Sequence, residues 1–188
     1  MRDRIGQEDN YQAWSQGSLR ESDWEAVTGA KVAAVGALVL LTMIFFSRSH
    51  SGFLPIIDHV NLAFHEAGHI FFSVFGKWTG ILGGTLGQLI MPLLSAFAFW
   101  RKGHTASYAV ALIWFFENFI NIARYVADAR AHELPLVGGG DHDWLNLLMH
   151  WNLLEQDLVI ANWLDAIARL GMLGVLLWIS WRWYRYPS

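Results

Sequence analysis

Long apolar runs alternate along this chain with short polar interruptions that carry turn residues. The first 28 residues are polar and mixed in charge, and Ser22 followed by Glu25 has the spacing of a capping box. That spacing predicts a short helix over Ser22 to Val27. From Ala30 to Phe46 the chain is apolar after Lys31, a first span slightly shorter than the roughly 20 residues a bilayer requires. Ser47 to Gly52 reads as a turn, and Pro55 introduces a second helix over Ile56 to Phe75. Gly76 to Gly80 is expected to break it. A third helix, Ile81 to Trp100, opens with Gly83-Gly84-Thr85-Leu86-Gly87-Gln88 and contains Pro92. After the basic turn Arg101-Lys102-Gly103-His104, a fourth runs from Thr105 to Asp128.

A loop over residues 131–143 follows, with three consecutive glycines before Asp141-His142-Asp143. Trp144 to Leu154 is too short to span and predicts an interfacial or re-entrant helix. The last span is expected over Trp163 to Trp181, ending in Trp181-Arg182-Trp183-Tyr184-Arg185-Tyr186, a membrane-interface anchor. The expected fold class is therefore all-α: a polytopic membrane bundle of about five membrane-embedded helices and one short helix. A polar tail, 1–28, precedes a single integral membrane domain, 29–188. That domain divides into core helices at 56–130, the glycine-rich loop at 131–143 and carboxy-terminal helices at 144–186.

Composition supports the membrane reading. Hydrophobic residues make up 54% of the chain and charged residues 15%, against roughly 25% charged in soluble domains. With 11 Trp and 12 Phe, 188 residues lack the interior volume to hide so much apolar surface from water. The first apolar run begins too far from the amino terminus for a cleaved signal, so it is expected to be retained. A multi-pass protein of the bacterial inner membrane, with lipid as its surroundings, is the expectation. The net charge of −3 and the lack of a basic run argue against a nucleic-acid partner. The chain has no cysteine, which excludes disulfides, Cys-ligated zinc and thiol catalysis.

The chemistry is concentrated in His65-Glu66-Ala67-Gly68-His69, an HExxH motif inside the second apolar helix. Positions i and i+4 share a helix face, so His65 and His69 can offer two imidazoles to one metal, with Glu66 beside them as general base. Such a polar group in hydrocarbon costs several kcal/mol unless it is paired or coordinated, and one Zn2+ per chain would satisfy it. Catalytic zinc takes three protein ligands and keeps one position open. Two residues are candidates for the third. Asp128 ends a stripe formed with Asn118, Asn121 and Tyr125 at helical spacing, and His142 follows the glycines, with Asp143 or Asp141 placed to orient its imidazole. Asn118 and Asn121 are candidate oxyanion or substrate-positioning donors. Glu117, within the fourth span, pairs with another helix or supports the metal site.

With this motif and the glycine-rich segment leading to Pro92, the chain resembles the site-2 protease family of intramembrane zinc metallopeptidases, over about residues 56 to 130. It is similar to a minimal, divergent member, reading Val126-Ala127-Asp128-Ala129-Arg130 where the family has a Leu-Asp-Gly context. The resemblance implies His65 and His69 as zinc ligands, Glu66 as general base and Asp128 as the last ligand. It also implies a membrane-embedded peptide or protein as substrate. Two other readings stand beside this one. The first is a non-catalytic metal-binding accessory or assembly subunit, in which a closed site would engage both Asp128 and His142. The second is a zinc hydrolase of lipid amides or esters.

Overall fold

The fold is given by a computed structural model that describes residues 24–48, 54–135 and 141–186. Six α-helices follow one another: α1 Gly29–Arg48, α2 Pro55–Ser73, α3 Lys77–Arg101, α4 Thr105–Ala127, α5 Asp143–His150 and α6 Asp157–Arg185, with a 3-10 turn at Leu154–Gln156 before the last. No β-strand occurs among the described residues. By length and composition α1, α3, α4 and the segment Leu154–Arg185 can each cross a membrane. The fifth long helix, α2, carries Asp58, His59, Asn61, His65, Glu66 and His69. Its polar side faces the interior, while Ile70, Phe71, Val74 and Phe75 are exposed, as lipid-facing side chains would be.

Helices α1, α4 and α6 pack around Val35, Val39, Ile113, Ile120, Met172 and Ile179. A second apolar cluster joins the end of α4 to α5 and the start of α6 through Val126, Trp144, Leu147, Leu148 and Ala161. Helix α2 lies against α3 at closer range. A Cβ on Gly68 would collide with the Gly83 carbonyl, and one on Gly87 with the Phe64 carbonyl, so the two backbones touch where side chains are absent. On its other side α2 is tied to α4 by polar side chains. Asn61 Nδ2 donates to Glu117 Oε2 at 3.0 Å, Trp114 Nε1 donates to Asn61 Oδ1 at 2.8 Å, and Asn121 Nδ2 donates to Asp58 Oδ1 at 3.0 Å.

Among the differences from the sequence expectation, three have a plain physical cause. Val74 and Phe75 lead out of α2 and Gly76 completes the turn with φ at 113°, open to glycine, so α3 resumes at Lys77 instead of Ile81. Helix α6 begins at Asp157 instead of Trp163, because Arg130 grips the Asp157 carboxylate with two hydrogen bonds of 2.6 and 2.7 Å and Asp157 Oδ1 accepts the Leu158 N–H. The predicted helix at Ser22 to Val27 is absent from its described part. Residues 24–28 are irregular, with Glu25 N donating to Gly103 O and Thr105 Oγ1 to Glu25 O, both at 2.8 Å. Val27 is buried, and Trp24 lies edge-on against Tyr108 and Trp178, so tertiary packing has overridden the local capping signal. Ser47 and Arg48, expected in a turn, complete α1; Ser22, residues 49–52 of that expected turn and the three glycines lie outside the described residues.

Candidate metal centre

One turn of α2 separates His65 from His69, and their rings meet edge to face with centroids 4.7 Å apart. Both Nε2 atoms converge on one oxygen from a distant part of the chain: Asp143 Oδ2 lies 2.9 Å from His65 Nε2 and 3.2 Å from His69 Nε2. The ligand atoms of these three residues all lie within 4.8 Å of one another, so the group can hold a metal ion.

Backbone and side-chain partners fix which nitrogens face inward. His69 Nδ1 is 2.8 Å from the carbonyl oxygen of Gly80, which can only accept, so the ring proton sits on Nδ1. His65 Nδ1 is 3.3 Å from Gln88 Oε1, again an acceptor. In its neutral form each imidazole therefore turns an Nε2 lone pair toward a carboxylate oxygen that is also rich in lone pairs. Three such groups repel one another unless a proton or a cation lies between them. The outward Nδ1–H bonds are the kind that orient metal-ligating histidines. Gly84 makes the room. A Cβ there would stand 2.5 Å from His65 Nε2 and 2.6 Å from His69 Nε2.

Asp143 is the first residue of α5 and its position is held from α4. The Asp143 N–H donates to Tyr125 Oη at 3.0 Å, and the same hydroxyl lies 3.5 Å from Asp143 Oδ2. His142 caps α5, its Nδ1 accepting from Leu145 N at 3.2 Å. That role requires a neutral ring with its proton on Nε2, which faces Asp128 Oδ2 at 3.3 Å. Burial pushes the His142 imidazole below its ordinary pKa, with the Asp128 carboxylate acting against that shift. Asp128 follows the last residue of α4, and its Oδ1 accepts the N–H groups of Glu133 at 2.7 Å and Leu134 at 3.2 Å.

The two residues expected as third ligand thus face each other, and neither belongs to the His65–His69 group. Asp143, expected to orient His142, is the carboxylate that meets both histidines. The reason is the direction of α5. Leu147, one turn after Asp143, is fully buried, so the face they share points inward. That pattern was a usable signal in the sequence. Asp128 is drawn instead to the loop amides just past the end of α4.

The metal group opens on a cavity of about 620 Å3 whose walls include Glu66, Lys77, Gln88, Arg124 and Tyr125. Glu66 is exposed to it. Asn121 also lines it and gives one of its two amide N–H groups to Asp58. Asn118, expected as an oxyanion donor, does not reach it. It is fully buried behind α2, donating to Trp114 O and Asn61 Oδ1. Glu117 pairs with Asn61 and takes no part in the metal group. Of the other histidines, His59 is on the cavity wall and His150 stacks on Trp78 with centroids 3.7 Å apart. Compared with known protein families, with curated proteins and with solved structures, the chain matches none.

Proposed function

We propose that the protein is a membrane-embedded, zinc-dependent hydrolase of the HExxH type that cleaves a peptide bond within or near the bilayer, as the resemblance to site-2 proteases implies. The observation that carries the reading is the convergence of His65 Nε2, His69 Nε2 and Asp143 Oδ2 beside an open cavity with Glu66 on its wall. Three protein donors are the number that leaves a catalytic zinc one position for water or substrate. When bound, the ion would polarise a carbonyl and acidify water. Glu66 would accept a proton as water adds to the carbonyl carbon, then deliver it to the departing amine nitrogen as the C–N bond breaks.

One further feature favours this over a structural metal site: such a site would close with four ligands, and Asp128 and His142 are engaged elsewhere. The first test is elemental analysis of detergent-purified protein beside His69→Ala and Glu66→Gln. Near-stoichiometric zinc is expected in the parent and in Glu66→Gln, and none in His69→Ala. In Glu66→Gln, cleavage of a membrane-peptide substrate is expected to disappear while the metal stays. Metal-free parent protein, folded and never exposed to chelator, would overturn the reading.

A further inference from the structure

Of the side chains expected to steady an oxyanion, Asn118 lies outside the cavity, and Asn121 already gives one of its two amide N–H groups to Asp58. Tyr125 has a different accounting. Its oxygen accepts the Asp143 N–H at 3.0 Å, which uses a lone pair and leaves the hydroxyl proton. The acceptor of that proton is Asp143 Oδ2, at a long 3.5 Å. This oxygen is the one both histidines approach, so a cation held there competes with the phenol for it. Tyr125 also lines the cavity. Its ring is fixed by neighbours, 4.3 Å from the His142 ring and 6.0 Å from the His65 ring between centroids.

We infer that the Tyr125 hydroxyl is the side-chain donor to the oxyanion that forms when water adds to the substrate carbonyl. The inference rests on the hydrolase reading and adds a catalytic residue to it. As the water oxygen bonds to carbon, the carbonyl π pair moves onto oxygen. Tyr125 meets that charge with a hydrogen bond and keeps its proton. Glu66 carries the proton from water to the amine. The donor is preorganised, because the Asp143 N–H fixes the phenol oxygen before substrate arrives.

The test uses the full-length protein loaded with Co2+ in detergent and titrated with acetohydroxamate, whose anionic oxygen stands in for the oxyanion, following the visible Co2+ spectrum. In Tyr125→Phe, one Co2+ per chain is expected with acetohydroxamate affinity lower by about tenfold or more, the scale of a charge-assisted hydrogen bond. Tyr125→Gln keeps both an acceptor for the Asp143 N–H and a donor, and is expected to recover part of the loss. It also supplies the comparison should the Phe variant fail to fold. Equal affinity in Tyr125→Phe and parent overturns the inference. So does weakened Co2+ binding with undiminished affinity in the loaded fraction, which would leave Tyr125 as a support for Asp143 alone. A parent protein that takes up no Co2+ is a separate failure, of the metal reading itself.

Discussion

At Gly84 an added Cβ would meet Nε2 of both His65 and His69, so the smallest substitution there tests the centre with both histidines still in place. Alanine is favoured over glycine inside a helix by about 1 kcal/mol, so Gly84→Ala should leave α3 intact or firmer. Its methyl group nevertheless has to displace the His65 and His69 rings. The expected outcome is unchanged helicity by circular dichroism and a metal affinity reduced by at least about tenfold. Gly174→Ala, on α6 with nothing within 4 Å of the new Cβ, is the control and should bind metal normally. Full occupancy in Gly84→Ala would mean the rings have more freedom than their Nδ1 bonds suggest. At this scale the sequence is legible where the chemistry is local. His65 and His69 can be read because i and i+4 share a face in any helix. Asp143 is harder, because 78 positions separate it from His65 and only the inward face it shares with Leu147 hints at it. That Gly84 borders two imidazoles depends on the register of α2 against α3, which no local pattern encodes.

Helix α2 is fastened differently on its two sides, by bare backbone against α3 and by polar side chains against α4. Asn61 is the hub of the second contact. It donates to Glu117 and accepts from Trp114 and Asn118, and it is 1% exposed. Hydrogen bonds between membrane helices contribute about 0.6 kcal/mol each on average, and a buried group left without its partner costs about 1–3 kcal/mol. Asn61→Ala strands three partners at once. It is expected to destabilise the protein by about 2 kcal/mol or more, read as a lower thermal midpoint in detergent, with α1 and α6 keeping their helicity. A midpoint equal to the parent's would show that the α2–α3 approach alone holds α2. The interior-facing stripe on α4 was legible from its helical spacing, and Asn118, Asn121 and Tyr125 do face α2 or the cavity. Where α3 and α6 begin was not. Those starts depend on the positive φ of Gly76 and on the Arg130–Asp157 grip, a backbone state and a tertiary contact.

In the whole molecule the metal group joins two parts of the chain that also meet through the Trp78–His150 stack and through Ile81, Leu82 and Leu89 of α3 against the α5 cluster. His65 and His69 belong to the α2–α3 pair, and Asp143 to α5, which docks through Trp144, Leu147 and Leu148 on the cluster shared with α4 and α6. A bound ion stabilises the closed arrangement by mass action, about 2.7 kcal/mol when its free concentration is 100 times the dissociation constant. Stripping the ion leaves converging lone pairs, and the cheapest relief is for Asp143 and the first turn of α5 to move away from α2. The apolar contacts of Leu147 and Leu148 limit that movement to the start of the helix. Hydrogen exchange after chelation should therefore quicken at Asp143 to Asn146 and around His65 to His69. The amides of α1 and the middle of α6, far from the metal group and packed in the other cluster, should keep their protection. Restoring Zn2+ should reverse the change in the parent and leave Asp143→Ala unaffected, since that variant lacks the arm the ion holds. Exchange that quickens evenly through all six helices would mean the ion supports the entire bundle. No change on chelation would mean that the Asp143–histidine contacts persist on a proton alone.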